Sequence, residues 1–339
     1  MSVDEGRKVT IDAIAREAGV PVPTVSRVLS DRSAVPAETR DRVEALLSRY
    51  GYQPEPGPQR ALVGLVDVVF DQLDEVALRL TEGVERVAGA TGTGMVVSAI
   101  GGRFTGIHQW LLNVRARTTD GLLLAARDVT DPLHLEVRRL PVPIVCLNPA
   151  GPVPADVSAV GSDEPLAGRQ ATDHLLALGH RQIGCIASRA YPGHTPAAVH
   201  GYRTALAAAG VPVRPELVRL ASADAESGFA AATILLQLDP APTAVFATSD
   251  EIALGAGAAV RERGLRVPQD VSVVGLDDLP AARWAAPALT TVRRPFREMG
   301  LLGARTLLRL AHGEPLAPSH LELATELVVR DSTARPPAR

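Results

Sequence analysis

The sequence is poor in the residues that build disulfide frameworks, metal clusters and aromatic binding platforms. Its 339 residues include two cysteines and only 3% aromatic side chains. Cys146 and Cys185 lie far apart in apolar runs, which argues against a disulfide framework or a zinc site and favours a reducing compartment. The aromatic content is too low for a stacking platform that binds single-stranded nucleic acid.

Long apolar runs and an excess of charge are also missing. No stretch approaches the roughly 18 uninterrupted apolar residues that span a bilayer, and the N-terminus has no apolar segment of signal-peptide length. The net charge is −3 and 46% of the residues are apolar, which excludes a disordered chain. These properties predict a cytoplasmic protein without a membrane partner. At roughly 150 residues per domain, the length predicts two to three domains.

Motifs of catalysis and cofactor binding are absent as well. The sequence has no Walker lysine motif, Gly-x-Ser-x-Gly elbow or His-Glu-x-x-His, and its eight histidines are dispersed. The run at residues 255–259, GAGAA, resembles a dinucleotide loop, but it lies in a helical segment, and we interpret it as close helix packing. We therefore predict no catalytic residue, no metal site, no cofactor and no enzyme activity.

The chain changes character near residue 54. Residues 1–53 show helical patterns without a strand-like run, and residues 54–61 are proline-rich, which is typical of a linker. Beyond the linker, short apolar runs alternate with amphipathic segments, which predicts parallel sheets covered by helices. The apolar runs occupy residues 61–70, 94–100, 121–126, 143–147, 182–187, 217–221, 243–249 and 271–278.

Eight such units fit either a closed TIM barrel or two open, doubly wound sheets. A proline-rich break at residues 148–156 divides the run after four units, which favours two lobes. Ligands of open parallel sheets bind beyond the carboxyl ends of the strands, here in the cleft between the lobes. The last residues, 332–339, contain Pro336 and Pro337 and no heptads, so we expect a disordered tail.

The N-terminal segment predicts three short helices. Thr10 precedes a first helix that ends at Gly19, and the next two helices cover Val22–Leu29 and Ala37–Arg49. A glycine in the short turn between the first two helices is typical of a helix-turn-helix. Such a unit is able to present its second helix to the major groove of DNA.

The outer face of the second helix carries side chains that suit DNA. Arg27 is able to contact guanine O6 and N7 with two hydrogen bonds, and hydroxyl groups suit phosphates or base edges. The alternative is an ordinary small helical domain, because residues 1–60 carry nine basic and nine acidic side chains and thus no net positive charge. The predicted DNA-binding residues are Thr10, Val22, Pro23, Thr24, Ser26, Arg27 and Arg32.

A resemblance to a known family extends along most of the chain. Residues 9–54, VTIDAIAREAGVPVPTVSRVLSDRSAVPAETRDRVEALLSRYGYQP, resemble the DNA-binding headpiece of the lactose-repressor (LacI/GalR) family of bacterial transcriptional regulators. The resemblance continues through HLLALGHRQIG (174–184), GYRTALAAAG (201–210), TAVFATSDEIALGA (243–256), VPQDVSVVGLDDLP (267–280) and PALTTVRRP (287–295). It implies an α/β core like that of periplasmic sugar-binding proteins, behind a headpiece at residues 1–53. It also implies a homodimeric repressor that binds double-stranded operator DNA and responds to a sugar or oligosaccharide.

The resemblance implies the division of the core, residues 62–331, into two lobes. We expect residues 62–160 and 291–318 in the first lobe, and residues 161–290 and 319–331 in the second. The family usually has a hinge helix after its headpiece, but eight residues, rich in proline, separate Pro54 from Val63. We expect either a stiff extended linker or operator binding that is weaker and depends less on DNA deformation.

The predicted effector-binding residues are Asn148, Ala198, Ser249, Asp250, Asp277 and Phe296. Carboxylates and amides at strand ends form hydrogen bonds with sugar hydroxyls, although Asp250 and Asp277 equally suit helix caps or turns. Ala198 stands where the family generally has an arginine that binds the sugar. This leaves open a sugar held in another way and, as the alternative, a non-sugar or absent effector. Nearby residues that could replace the arginine are Arg189, His194 and His200.

Two other classes of protein have such a core. One is a solute-binding component of a transporter, and the missing signal peptide and the attached headpiece argue against it. The other is a cytoplasmic α/β enzyme, which a turnover screen would reveal.

Overall fold

The computed structural model describes residues 10–29, 36–50, 62–100, 110–115, 118–125, 137, 140–149, 151–188 and 197–338. The chain divides into two compact units, residues 1–61 and residues 62–339. The predicted linker, residues 54–61, lies outside the described residues.

Three helices form the first unit: α1 is Ile11–Ala18, α2 is Val22–Leu29 and α3 is Ala37–Arg49. These bounds agree with the prediction from the sequence. Helix α1 ends at Gly19, whose φ of 65° is a left-handed conformation that glycine adopts without strain. Thr10 occupies the N-cap position of α1, but its side chain makes no capping hydrogen bond.

A small apolar core joins the three helices. Its buried members are Ile14, Ala15, Ala18, Val25, Val28 and Val43. At the end of α3, the Tyr50 hydroxyl donates to Glu17 Oε2 at 2.6 Å, and Arg49 pairs with Glu17 at 3.5 Å. Exposed pairs of this kind contribute little, so burial of the aliphatic side chains is the main force that holds the helices together.

The second unit alternates strands with helices. Its strands are β1 (Leu65–Phe70), β2 (Gly94–Ala99), β3 (Gly121–Ala125), β4 (Ile144–Leu147), β5 (Ser158–Ser162), β6 (Ile183–Ser188), β7 (Val218–Ala221), β8 (Ala244–Ala247), β9 (Ser272–Asp277), β10 (Thr290–Arg293), β11 (His320–Leu323) and β12 (Glu326–Val328). Its helices are α4 (Glu75–Thr91), α5 (Glu164–Ala177), α6 (Ala197–Ala208), α7 (Ala225–Leu235), α8 (Asp250–Glu262), α9 (Pro280–Trp284) and α10 (Phe296–Ala311). All eight predicted apolar runs form strands, so the predicted α/β alternation is confirmed.

The strands form two open sheets of six strands each. The order is β11-β5-β4-β3-β1-β2 in the first sheet and β12-β10-β9-β8-β6-β7 in the second. Neighbouring strands are parallel, except that β12 runs antiparallel to β10. We call the first sheet with α4 and α10 the first lobe, and the second sheet with α5 to α9 the second lobe. This architecture is the predicted pair of doubly wound lobes and excludes the closed barrel.

The chain crosses between the lobes three times, at residues 162–164, 293–296 and 323–326. These crossings correct the predicted lobe boundaries. Strand β10 pairs with β9 in the second sheet, although residues 291–318 were expected in the first lobe. Strand β11 pairs with β5 in the first sheet, although residues 319–331 were expected in the second lobe. Both strands are short and partly polar, so backbone pairing, and not an apolar run, determines where they lie.

Three helix pairs approach closely, and each contact has a glycine on both helices. The pairs are α4 with α10 through Gly83 and Gly300, α5 with α6 through Gly168 and Gly201, and α7 with α8 through Gly228 and Gly255. A Cβ atom on any of these glycines would lie 1.9–2.4 Å from a backbone oxygen of the opposite helix. Gly255 therefore serves helix packing, as interpreted from the sequence.

The end of the chain packs on the second lobe, and the prediction of a disordered tail was wrong as far as residue 338. Ser332 is 1% exposed, and its hydroxyl donates to the carbonyl of Val273 at 2.6 Å. The Ala334 carbonyl accepts a hydrogen bond from His180 Nε2 at 2.9 Å. The tail remains ordered because these groups pair with backbone and side-chain groups at the amino ends of the strands.

Candidate functional site

The predicted DNA-binding residues map to the start of α1 and to α2. Thr10 and Pro23 are exposed, whereas Val22 and Thr24 are half-buried. The side chains of Ser26 and Arg27, and all of Arg32, lie outside the described part of the structure. Helix α2 buries Val25 and Val28 in the core of the first unit. The core of the first unit therefore holds α2 by one face. A helix that enters a DNA groove must be held in this way.

A second candidate site lies where the carboxyl ends of the two sheets meet. Asn148 follows β4 and Ser162 ends β5 in the first lobe, whereas Asp277 ends β9 in the second lobe. Arg294 follows β10 and donates hydrogen bonds to all three. Its Nε lies 3.0 Å from Ser162 Oγ, its Nη1 lies 3.3 Å from Asp277 Oδ1, and its Nη2 binds Asn148 Oδ1. One guanidinium group therefore contacts both lobes.

Arg294 is almost enclosed at this position, with 9% of its side chain exposed. The Glu164 carboxylate, at the start of α5, lies 3.6 Å from its Nη1. The guanidinium also lies over the ring of Phe296, 5.0 Å from the ring centroid, in a cation–π contact. The structure thus brings together three of the predicted effector residues, Asn148, Asp277 and Phe296, around an arginine that the sequence analysis did not single out.

Backbone strain is concentrated in the same place. Asn148, Asp277 and Asp278 have φ values of 48°, 118° and 55°. Non-glycine residues adopt such angles at a cost of about 1–3 kcal/mol each, and only where the surroundings hold them. Asp278 is held by Arg293 Nε at 2.8 Å and by Arg330. Burial acts to raise the pKa of Asp278, but the hydrogen bonds from Arg330 and Arg293 outweigh it, and its pKa is lowered overall.

Ser249 and Asp250 have structural partners. The Ser249 hydroxyl caps α8 by accepting a hydrogen bond from the first turn of that helix at 3.2 Å. The Asp250 carboxylate is fully buried and accepts hydrogen bonds from the Leu279 N–H at 2.6 Å and from the Thr291 hydroxyl. Burial, and next the Asp277 carboxylate, raise the pKa of Asp250 well above its ordinary value. These contacts match the cap-and-turn alternative for both residues.

Ala198 is buried in the contact between α5 and α6 and brings no polar side chain to the cleft. Among the residues proposed to replace the family's arginine, Arg189 and His194 lie outside the described residues, and His200 is exposed. Arg294 is the arginine that joins the two lobes at this cleft. No sequence signal identifies Arg294, because β10 is not an apolar run and the partners of Arg294 lie far away in the sequence.

A cavity of about 460 Å³ adjoins Arg294, a size within the usual range of ligand pockets, roughly 300–1,000 Å³. Its lining includes Asp277, Phe296, Arg283 and Trp284, and Trp284 is 84% exposed. The mixture of charged and aromatic groups suits a polar ligand with some apolar surface.

Three features are absent from the described residues: a metal-binding cluster, a membrane-spanning helix and a reactive thiol. They contain no group of three or more side chains able to hold a metal ion. None of their helices is long and apolar enough to cross a membrane. Burial raises the pKa of both cysteines, Cys146 and Cys185, to about 12. Neither thiol is therefore a nucleophile at neutral pH.

A three-helix unit with a helix-turn-helix, followed by a two-lobed α/β core with a polar cleft, defines a class of DNA-binding regulators with a ligand-binding core. Comparison with known proteins specifies the family. Residues 10–55 match the bacterial regulatory proteins of the lacI family, and residues 172–333 match the periplasmic binding protein-like domain. The chain belongs to the lacI family and is a DNA-binding transcriptional regulator.

The relatives cover nearly the whole chain. The HTH-type transcriptional regulator CelR of Thermobifida fusca is 35% identical over 97% of this chain and 100% of its own length. Among solved structures, a CelR–cellobiose complex is 34% identical, with a TM-score of 0.74 over 96% of this chain and 99% of that chain. The lac repressor dimer bound to operator and the anti-inducer ONPF is 29% identical, with a TM-score of 0.71 over 97% of this chain and 100% of that chain.

Proposed function

We propose that this regulator is a homodimeric repressor of a carbohydrate-utilisation operon, and that a sugar bound between its lobes alters its grip on the operator. The convergence of Asn148, Ser162 and Asp277, from opposite lobes, on one point carries the proposal. A ligand at that point contacts both lobes, so it favours one lobe arrangement over another. Linkage then requires that the ligand alters affinity for DNA, if the two arrangements differ in that affinity.

The chemistry of the cleft supports a carbohydrate. Its carboxylate, amide and hydroxyl groups accept hydrogen bonds from sugar hydroxyls, and a related structure contains cellobiose. The second candidate is a non-sugar effector or none, which Ala198 favours because it lacks the hydrogen-bonding side chain that relatives generally have there.

A dimer is expected on three grounds. One headpiece buries too little surface for tight specific binding, whereas two headpieces on a twofold axis read a pseudo-palindrome. The exposed Trp284 provides a large apolar side chain that a second subunit would cover. A related repressor is a dimer on its operator. We expect a homodimer by light scattering at micromolar concentration, and a monomer would contradict this.

The proposed DNA contacts are those predicted from the sequence, with Arg27 as the residue that reads guanine. The protein is expected to act in the cytoplasm, where operator DNA lies, and to turn over no substrate. A turnover screen on the purified chain checks the last point.

Selection of randomised duplexes by the full-length protein tests the DNA-binding role. We expect a pseudo-palindromic consensus. Arg27→Ala should weaken binding to it by about 1–3 kcal/mol per half-site, with a smaller loss on random duplexes. Arg42→Ala is the control, because Arg42 is an exposed arginine on α3 and its removal changes the charge equally. Equal losses on specific and random duplexes would mean that Arg27 touches only phosphate.

A thermal-shift screen with monosaccharides and oligosaccharides, cellobiose included, tests the effector. A ligand that binds only the folded protein raises its melting temperature. A sugar that raises the melting temperature and alters operator affinity supports the proposal. No shift with any sugar favours the second candidate.

A further inference from the structure

Two neighbouring arginines at the second crossing have differently placed partners. Arg293 pairs with Asp278 and with Glu326, each at 2.8 Å, and both partners belong to the second lobe. Arg294 instead joins Asn148 and Ser162 of the first lobe to Asp277 of the second lobe. Arg293 therefore stabilises one lobe, whereas Arg294 ties the two lobes together.

The partners of Arg294 are the groups that a ligand between the lobes would need. Asn148 Oδ1 and Asp277 Oδ1 face each other across the cleft, and both already accept a hydrogen bond from its guanidinium. Hydrogen bonds to charged groups are about twice as strong as neutral ones. Because only 9% of the Arg294 side chain is exposed, water weakens these hydrogen bonds little.

The position of Arg294 also connects the cleft to two of the three crossings. Arg294 lies on the second crossing, and Ser162 and Glu164 lie on the first. The third crossing has its own contact, in which the Thr325 hydroxyl donates to Gln170 Oε1 at 2.8 Å. If Arg294 loses these contacts, the link between the first two crossings is lost, whereas the contact at the third crossing remains.

We propose that Arg294 is an inter-lobe latch at the effector cleft, and that the effector replaces it as the hydrogen-bond partner of Asn148 and Asp277. The proposal rests on the proposed function in so far as it concerns an effector. The ligand that opens the latch is a neutral, hydroxyl-rich molecule. It must donate hydrogen bonds to the Asn148 and Asp277 oxygens that Arg294 releases, and a carboxylate oxygen, which only accepts, cannot replace the guanidinium there.

The latch itself is tested without any ligand, by the distance between spin labels on the two lobes. Ala90→Cys on α4 and Ala207→Cys on α6 place one label on an exposed position of each lobe. The native cysteines are buried. We expect a narrow distance distribution in the otherwise unchanged chain. With Arg294→Met the distribution should broaden or shift by more than its original width.

Arg293→Met is the matched control, because it removes the same charge one residue away but breaks contacts within a single lobe. It should leave the distribution unchanged. Arg294→Lys should give an intermediate result, because lysine keeps the charge but lacks the planar fork. If Arg294→Met does not fold, Arg294→Gln combined with Asp277→Asn removes both charges together. An unchanged distribution in a folded Arg294 variant would overturn the latch.

The ligand class is tested with cellobiose and its anionic counterpart, cellobionate. Cellobiose should move the labels toward the distances seen in Arg294→Met, and cellobionate should not. Arg294→Met should bind cellobiose about fivefold or more tightly than the unchanged chain, because no latch competes. Weaker binding would identify Arg294 as a ligand contact and overturn the latch. If the variants move the labels but neither sugar does, the latch stands and the carbohydrate effector of the proposed function fails.

Discussion

The two lobes share a sheet plan, but the edges that they present to the cleft differ in chemistry. The first lobe offers the neutral groups of Asn148 and Ser162, whereas the second offers the carboxylates of Asp277 and Glu164. A buried charge without a partner costs far more than a buried amide without one. Loss of the Arg294 guanidinium as a partner therefore costs more at the acidic edge of the second lobe than at the neutral edge of the first lobe.

The lobes also differ in how the chain end closes them. On the second lobe, Arg330 binds Asp278, and Ser332 bonds to the backbone of β9 and β10. On the first lobe, the late strand β11 forms a largely exposed edge. Side-chain contacts of the last residues therefore close the second lobe. This difference teaches that the chain end adds stability chiefly to the second lobe.

The largest expected effect concerns the close helix pairs, which both lobes have. Gly201→Ala in the second lobe and Gly300→Ala in the first would each place a Cβ within 2.0 Å of a backbone oxygen. Each should lower the free energy of unfolding by about 3 kcal/mol or more, the upper range for overpacking. Urea titration measures the loss.

Gly89→Ala is the control for these variants. Its Cβ would lie 3.4 Å from the flexible Glu85 side chain, and alanine favours a helix, so it should stabilise the protein by about 0.5–1 kcal/mol. If Gly201→Ala were as stable as Gly89→Ala, the close helix contact would be refuted.

A smaller effect tests the closure of the second lobe by the chain end. Ser332→Ala removes the donor to the Val273 carbonyl and the acceptor of the Thr290 N–H. Because these groups are buried, the unfolding free energy should fall by about 1–3 kcal/mol. Ser319→Ala, at an exposed position beside the first lobe's edge strand, should change stability by less than about 0.5 kcal/mol. Equal losses of stability in the two variants would contradict the proposal that the chain end stabilises chiefly the second lobe.

The buried Asp250 carboxyl group makes the stability of the second lobe depend on pH. Burial and the Asp277 carboxylate raise the pKa of Asp250 in the folded state. The folded protein therefore holds this proton more tightly than the unfolded chain does. The stability that this proton contributes is present at low pH. It is lost as the pH rises from the pKa of Asp250 in the unfolded chain, near 3.8, through its raised pKa in the folded protein.

Asp250→Asn mimics the protonated carboxyl group and should therefore abolish the loss of stability at higher pH. The variant should gain stability relative to the unchanged chain as the pH rises, in urea titrations from acidic to neutral pH. If the free energies of unfolding of the two proteins changed in parallel with pH, the pKa of Asp250 would not be raised in the folded protein.

Sequence patterns predicted the elements whose residues carry their own signal. Helices α1 to α3 follow the period of apolar residues with Gly19 as a stop, and eight strands follow apolar runs. Strand β10 was missed because Thr290 and Thr291 look like loop residues until their hydroxyls find buried partners. The role of Arg294 could not be predicted, since residues 148, 162 and 277 are neighbours only in the folded chain. The ordered tail was missed for the same reason.

The most direct test of the account is operator affinity measured with and without ligand. The selected operator duplex is titrated with the full chain and with Asp277→Asn by fluorescence anisotropy, with the sugar found by thermal shift. We predict that both bind the duplex similarly without sugar. The sugar should alter binding of the unchanged chain, and Asp277→Asn should weaken sugar binding by about 1.5–3 kcal/mol and lose the response. An equal response in both proteins, at the same sugar concentration, would contradict an effector site between the lobes.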